Sequence, residues 1–180
     1  MQPGSLTVYA GPMFSGKTEA LIHHVLEAES NGLRVRAYKP SLDTRYEDSY
    51  IHSHNGSLIK SHTLAPDAPD LPADVHLIAI DEAQFLTPDA VPRILAAVQA
   101  GRQVVVSGLD LDCFGKPFGP MPILMAFANE VRKLAGICSR CALPSVRSHR
   151  LVRSEAAILV GGSEMYEPRC TSCFDPAGGL

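Results

Sequence analysis

The octapeptide from Gly11 to Thr18, Gly-Pro-Met-Phe-Ser-Gly-Lys-Thr, constrains the fold more than any other part of the chain. It matches the phosphate-binding loop pattern G-x-x-x-x-G-K-[ST] at every required position. The apolar segment 6–10 before it predicts a buried strand, and segment 19–22 after it predicts the start of a helix. In that context the glycines let backbone N–H groups converge on phosphate oxygens, and the helix N-terminus adds partial positive charge. We expect Lys17 to reach the β- and γ-phosphates and Thr18 to offer its hydroxyl to Mg²⁺. The alternative, a glycine-rich turn with an exposed lysine, does not account for the flanking elements.

Strand and helix patterns alternate along the first part of the chain. Beyond the first strand and a helix over 17–30, we expect strands near 34–38, 58–62, 75–80 and 103–107 and helices near 88–100 and 122–134. This alternation predicts an α/β fold with a doubly wound parallel sheet. From residue 135 the sequence changes to cysteine pairs and short β-like runs. We therefore expect a P-loop nucleotide-binding domain over 1–134 and a small zinc-binding, β-rich domain over 135–180.

The charge and hydropathy of the chain limit its partners. Its 180 residues carry a formal net charge of −3, with a pI of about 6.1, so there is no basic excess to hold a nucleic-acid backbone. No apolar run approaches the ~18 residues of a membrane span, and segment 1–5 lacks the features of a signal peptide. We expect a cytoplasmic protein with no membrane partner and no stable nucleic-acid binding.

Two carboxylates, Asp81 and Glu82, directly follow the apolar segment 78–80. In phosphate-loop enzymes an acidic residue at this strand end holds Mg²⁺ directly or through water, which suits Asp81. Glu82 could then be a general base beside the transferring phosphoryl group. The alternative is an acidic helix N-terminus, which the helix dipole favours. Because the phosphate loop is present, we favour Asp81 as the Mg²⁺ ligand and Glu82 as the general base.

Four of the five cysteines form two C-x₂-C pairs, Cys138 with Cys141 and Cys170 with Cys173. Two such pairs can close one tetrahedral Cys₄ zinc site, and a site with no open position is structural. Disulfides or redox thiols are the alternatives, and matched pairs in a reducing compartment disfavour both. Zinc would anchor both ends of the segment between the pairs, which we expect to become ordered over a substrate. Cys113 is left over and is expected to be an ordinary buried residue.

Other candidates lie near the predicted site. Asp43 and Arg45 follow the second strand and could organise metal-bound water and neutralise phosphate charge, although a solvated turn with an ion pair explains them equally. Aromatic and apolar side chains near a nucleotide site can stack on a base or can simply belong to the core. The residues in question are Phe85, Leu109, Phe114, Phe118 and Tyr166.

Together the motifs resemble one family, the cytosolic zinc-containing (type II) thymidine kinases. The resemblance runs through the phosphate loop, the two cysteine pairs and segments 39–46, 53–56, 80–85, 108–110, 116–119 and 160–166. It implies phosphorylation of the 5′-hydroxyl of thymidine by ATP, giving dTMP and ADP, in a homotetramer. The implied cofactors are ATP, Mg²⁺ held through Thr18 and Asp81, and structural Zn²⁺.

The resemblance also implies roles for individual residues. Glu82 would take the hydroxyl proton, while Lys17 and Arg45 would stabilise charge on the γ-phosphate. Contacts to ATP would come from Gly11, Pro12, Met13, Phe14, Ser15, Gly16, Lys17, Thr18, Asp81, Glu82, Ala83 and Gln84. Contacts to the nucleoside would come from Met13, Asp43, Phe85, Leu109, Phe118, Ser148, Gly161 and Tyr166. A loop around 148–166 would hold thymine largely through its backbone, and Cys138, Cys141, Cys170 and Cys173 would hold the zinc.

The chain departs from the family pattern at three places, one of which is segment 151–158 in the loop that would hold thymine. Cys113 and Phe114 lie in Asp-Cys-Phe-Gly where the family often has Asp-Phe-Arg-Gly, so Cys113 replaces a pocket-lining Phe. Ser148 stands where many members have Thr.

Two other functions stay open on the residues alone. One is a P-loop ATPase without a small acceptor, and the other is a nucleic-acid-binding ATPase that reads its partner with the zinc module. The second would use a local basic patch of Arg132, Lys133, Arg140, Arg147, Arg150 and Arg153. The acidic net charge counts against it.

Overall fold

A computed structural model describes residues 3–42, 50–53, 55–68, 71–152, 159 and 161–176. The strands of this part of the chain are β1 Ser5–Ala10, β2 Val35–Pro40, β3 Tyr50–His52, β4 Leu58–Lys60, β5 His62–Leu64, β6 Leu77–Ile80, β7 Gln103–Gly108, β8 Glu130–Lys133, β9 Gly136–Ile137, β10 Pro144–Ser145, β11 Arg147–Arg150 and β12 Tyr166–Arg169. The α-helices are α1 Lys17–Ser30, α2 Ala90–Gln99 and α3 Met121–Phe127, and a single 3₁₀ turn covers Ala83–Phe85.

A six-stranded sheet in the order β5-β2-β6-β7-β1-β8 forms the centre of the molecule. Every neighbouring pair in it is parallel. The predicted doubly wound α/β fold is therefore confirmed. Because all strands run the same way, the segments that follow β1, β6 and β7 meet at one edge of the sheet.

Alternating strand residues build one apolar core on each face of the sheet. On one face Val8, Ile80 and Val106 belong to a cluster with Ile94 of α2 and Leu124 of α3. On the other face the strands pack on α1 and the β3–β4 hairpin, through a cluster that includes Leu21, Ile22, Val25, Ile51, Ile59, Leu77, Ala79 and Val105. Both faces are covered, as buried parallel strands require.

The predicted helix over 122–134 is wrong in its second half. The helix α3 ends at Phe127, and Glu130–Lys133 forms strand β8 at the edge of the sheet, parallel to β1. Asn129 directs this change: its side-chain Oδ1 accepts the Leu6 N–H at 2.8 Å, and its own N–H donates to the Leu6 carbonyl at 2.9 Å. Pairing with a strand far away in sequence thus overrides the local helical pattern.

The predicted strand over 58–62 is also corrected. It divides at Ser61 into β4, which pairs antiparallel with β3, and β5, which joins the sheet beside β2. None of the helices in the described part of the chain is both long and apolar enough to cross a membrane.

The chain beyond the central sheet forms two small two-stranded sheets. In one, β9 pairs with β10, and in the other β11 pairs with β12, both antiparallel. The chain changes from parallel to antiparallel pairing just after Leu134, beside the predicted boundary at 134/135. Division into domains 1–134 and 135–180 stays a prediction.

Candidate active site

The phosphate loop connects β1 to α1 in a conformation that its sequence explains. Gly11 has φ 150° and Gly16 has φ 80°, backbone conformations that glycine adopts without steric cost. A Cβ atom on Gly11 would lie 2.3 Å from the Leu134 carbonyl oxygen, so the end of β8 leaves no room for a side chain there. Phe14 also has a positive φ, 62°, which is uncommon for a residue with a bulky side chain. The loop is thus a strained turn at the N-terminus of α1, of the kind that functional sites hold.

Lys17 is folded back against this loop. Its ammonium donates to the Pro12 carbonyl at 2.6 Å, and the side chain is 9% exposed. Ser15 donates to the same carbonyl at 2.8 Å. The ammonium is therefore held at the position where the loop would receive phosphate oxygens.

Asp81 lies at the end of β6 with both carboxylate oxygens engaged. Thr18 donates to it at 3.1 Å, and Ser107 at the end of β7 donates a short hydrogen bond to it. Burial, with the nearby charge of Glu82, raises the pKa of Asp81 to about 6. A divalent cation beside the Thr18 hydroxyl would stabilise the carboxylate and reverse this shift. The donor set of one hydroxyl and one carboxylate is therefore suited to Mg²⁺, which usually keeps several waters and substrate phosphates as its other ligands.

Glu82 begins the 3₁₀ turn in a left-handed conformation, with φ 51° and ψ 39°. Its carboxylate accepts a short hydrogen bond from the Gln84 amide. Gln84 is 2% exposed, and the Oε1 atom of its side-chain amide accepts the Leu109 N–H at 3.0 Å. Few residues other than glycine adopt this left-handed conformation, and a buried amide holds Glu82 in place, which together point to a functional role.

A cavity of about 320 Å³ joins these groups to the C-terminal strands. Of the predicted site residues, its walls contain Met13, Phe14, Ser15, Gly16, Lys17, Thr18, Glu82, Gln84, Phe85, Leu109, Phe118, Ser148, Gly161 and Tyr166. One cavity thus collects the residues assigned to the nucleotide and those assigned to the nucleoside.

Hydrogen bonds connect the far wall of the cavity to the phosphate loop. The Met13 N–H donates to the Ser148 hydroxyl at 2.9 Å, so the loop is tied to β11. The Tyr166 hydroxyl donates to the Leu159 carbonyl at 2.7 Å, and both residues line the cavity. The phosphate loop and the C-terminal strands therefore share one binding surface.

Other predicted residues lie beside the cavity or outside the described part of the chain. Gly11, Pro12, Asp81 and Ala83 are not among the residues that line the cavity. Asp43 and Arg45 lie outside the described residues, so their roles stay predictions.

Sequence reasoning missed Glu19 and Asn55, which line the cavity and form a hydrogen bond of 2.7 Å. The Asn-Gly pair at 55–56 signals a hairpin turn. No local pattern shows that this turn reaches the start of α1.

The four paired cysteines meet in one cluster. The Sγ atoms of Cys138, Cys141, Cys170 and Cys173 all lie within 4.8 Å of one another. Four Zn–S bonds of about 2.3 Å in a tetrahedron place sulfur atoms about 3.8 Å apart, so this cluster could hold zinc. Burial opposes ionisation of Cys138, but hydrogen bonds from backbone groups lower its pKa to about 6. Hydrogen bonds with Cys170 and Cys141 instead raise the pKa of Cys173 to about 12, so a bound cation would have to stabilise the thiolates for all four to ionise.

Three residues of the predicted basic patch have partners within the protein. Arg132 pairs with Glu130 at 2.7 Å and Lys133 pairs with Asp110 at 2.8 Å. Arg150 is 4% exposed and stacks on the rings of Phe114 and Tyr166, with its guanidinium carbon 5.6 Å from each ring centre. The Arg132 and Lys133 side chains nevertheless stay 56% and 50% exposed, and Arg140 is exposed as well. Arg153 lies outside the described residues.

Comparisons with known proteins identify the family of this chain. A family model described as thymidine kinase matches residues 4–174. A thymidine kinase of Deinococcus deserti is 43% identical, with 93% of this chain and 92% of the relative covered. A thymidine kinase of Bacteroides fragilis strain YCH46 is 38% identical, with 97% of this chain and 88% of the relative covered. One similar solved structure is the genome packaging NTPase B204 of Sulfolobus turreted icosahedral virus 2, in complex with sulfate. Its sequence is 18% identical and the TM-score is 0.47, with 78% of this chain and 77% of that chain covered. That likeness is too distant to carry an argument. The sequence matches span almost the whole chain, and they show that it belongs to the thymidine kinase family.

Proposed function

We propose that this chain transfers the γ-phosphoryl group of ATP to the 5′-hydroxyl of thymidine inside the cavity described above. The observation that carries the proposal is the composition of that cavity. Its walls contain Lys17 and Thr18 of the phosphate loop, Glu82 at the end of β6, and Ser148 and Tyr166 of the C-terminal strands. Donor and acceptor would therefore meet at Glu82.

The phosphate loop holds the donor. Phosphate oxygens compete with the Pro12 carbonyl for the Lys17 ammonium, which lies only 2.6 Å from that carbonyl. Thr18 and Asp81 would hold Mg²⁺, which would neutralise charge on the phosphates when bound. Arg45 and Asp43 are proposed to add to the phosphate side of the site, on the strength of the family resemblance.

Glu82 takes the proton of the acceptor hydroxyl. Glu82 and Lys17 line the same cavity, so an attacking hydroxyl could lie between this general base and the γ-phosphate. Gln84 keeps the carboxylate from turning away, because its amide donates to Glu82 while its carbonyl is anchored on Leu109. Positioning of this kind supplies much of the catalysis in phosphoryl transfer.

The nucleoside occupies the end of the cavity formed by aromatic side chains and β11–β12. Phe85 and Phe118 pack edge to face, with ring centres 5.9 Å apart, and both line the cavity. Such a wall provides apolar contact for a pyrimidine ring, and the Tyr166 and Ser148 side chains are held in place by hydrogen bonds.

The remaining features of the proposal rest on the cysteine cluster and on the family resemblance. The cluster holds a structural Zn²⁺ that fixes β9–β10 beside the end of β12. The resemblance supports a homotetramer in the cytoplasm. We propose that the protein does not bind nucleic acid stably, because its net charge is −3 and two of the proposed basic contacts are ion-paired.

A phosphoryl-transfer assay tests the proposal. ATP is supplied with thymidine, deoxycytidine, deoxyadenosine or deoxyguanosine in turn, and nucleoside monophosphate is measured. We expect product from thymidine and none above background from the other three. Steady ATP hydrolysis that thymidine does not change would support the ATPase alternative and contradict the proposal.

A further inference from the structure

Cys113 forms one corner of the cavity wall with a side chain smaller than those of its aromatic neighbours. It is 8% exposed and lines the cavity together with the aromatic side chains of Phe85, Phe118 and Tyr166. Burial raises the pKa of the Cys113 thiol, so at neutral pH the residue presents a small uncharged surface. The sequence resemblance leads one to expect a Phe at this position, and the thiol is much smaller.

The turn that carries Cys113 is rigidly built. One side-chain oxygen of Asp112 accepts the N–H groups of Phe114 and Lys116, each at 2.9 Å. The backbone of Asp112 also donates to the Lys116 carbonyl at 2.8 Å, and Gly115 takes the positive φ of 76° that closes the turn. The thiol is therefore held at one place in the wall.

Phe114 does not line the cavity that Cys113 faces. Its ring packs under the Arg150 guanidinium, whose central carbon is 5.6 Å from the ring centre. Arg150 is 4% exposed and stands at the same distance from the Tyr166 ring. Moving Phe114 into the cavity would break its contact with Arg150, so Phe114 does not take the place beside Cys113.

We propose that Cys113 is a specificity-determining residue, whose small side chain lets the site accept pyrimidine deoxynucleosides with a 5-substituent larger than the methyl group of thymine. The proposal rests on the assignment of the cavity to the nucleoside. A nucleoside with its 5′-hydroxyl at Glu82 would place its base against the remaining walls of the cavity, which include Cys113, Tyr166 and Ser148. Room beside the base at Cys113 admits extra atoms on the ring.

The test compares the wild-type enzyme with Cys113→Phe, which fills the corner, and Cys113→Ala, which leaves it open. The acceptors are deoxyuridine, thymidine, 5-ethyl-deoxyuridine, 5-iodo-deoxyuridine and (E)-5-(2-bromovinyl)-deoxyuridine, with ATP saturating. We expect Cys113→Phe to lower kcat/KM for the ethyl and bromovinyl compounds at least ~10-fold more than for thymidine. Cys113→Ala should keep the wild-type order. Calorimetric Kd values for the same nucleosides, measured without ATP, should shift in parallel.

Equal effects of Cys113→Phe on all five acceptors would overturn the proposal, as would wild-type Kd values in that variant. If Cys113→Phe does not fold, Cys113→Leu should show the same trend in kcat/KM with a smaller effect. The absence of that trend in Cys113→Leu would also overturn the proposal. Phe118→Ala distinguishes a wrong role for Cys113 from a wrong assignment of the cavity to the nucleoside. If the cavity holds the nucleoside, Phe118→Ala raises KM for every acceptor, and if it does not, neither Phe118→Ala nor Cys113→Phe changes any KM.

Discussion

In the structure Gln84 forms hydrogen bonds that its position in the sequence did not predict. The motif around 81–84 predicted a contact to ATP, and that contact stays a prediction. In the structure Gln84 is a buried bridge that receives the Leu109 N–H and donates to Glu82. Its side chain acts on the chemistry through Glu82, so it is a positioning residue.

Gln84→Met tests that positioning role, because methionine keeps the length of the side chain and removes both hydrogen bonds. We expect kcat to fall about 10-fold or more with a small change in KM for ATP, since only the orientation of Glu82 is lost. The buried Leu109 N–H loses its partner, so the free energy of unfolding should fall by about 1–3 kcal/mol. Steady-state kinetics and urea unfolding measure the two effects. A loss of stability with unchanged kcat would show that Gln84 is structural alone.

Among the elements, those with strong local signals were predicted closely. Helix α1 runs from Lys17 to Ser30 as expected, because the glycine before it and the Asn-Gly pair after it mark both ends. Segment 130–133 was predicted as helix, since its strand state depends on β1, more than a hundred residues away. The Met13 to Ser148 bond spans the chain in the same way. Sequence thus predicted many of the residues that line the cavity, but it missed Glu19 and Asn55 and the hydrogen bonds that join the two walls.

Asn129 provides a test at the element scale, because it joins the start of β8 to β1 through its side chain. Asn129→Ala removes the acceptor of the Leu6 N–H, which lies 2.8 Å away. We expect a loss of about 1–2 kcal/mol in the free energy of unfolding, measured by urea denaturation. Asn31→Ala, at the exposed end of α1, is the matched control and should cost less than about 0.5 kcal/mol. Equal losses would mean that the side-chain bond does not fix β8.

At the scale of the whole molecule, the site needs both ends of the chain. The phosphate loop lies between β1 and α1, and the proposed general base Glu82 follows β6. The opposite wall of the cavity comes from β11 and β12, beside the cysteine cluster. Met13 shows this sharing directly, since it is part of the phosphate loop, lines the cavity and bonds to Ser148. Loss of order in the C-terminal strands should therefore affect the nucleoside more than ATP.

Cys141→Ser and Cys173→Ser test this dependence on the cluster. We expect zinc content to fall from one ion per chain to near zero and the melting temperature to drop, because structural zinc contributes directly to folding. KM for thymidine should rise more than KM for ATP. Cys113→Ala, the control at the unpaired cysteine, should retain zinc. Full zinc content in the Ser variants would contradict the assignment of ligands.

The central claim is that Glu82 is the base for phosphoryl transfer to the 5′-hydroxyl of thymidine, and Glu82→Gln tests it most directly. The change keeps the size of the side chain, so ATP should still bind with an unchanged Kd. Turnover of thymidine, measured with ATP saturating, should fall by roughly 10²–10⁴-fold. Turnover within a few fold of the wild-type rate would contradict the account and remove Glu82 from the role of base.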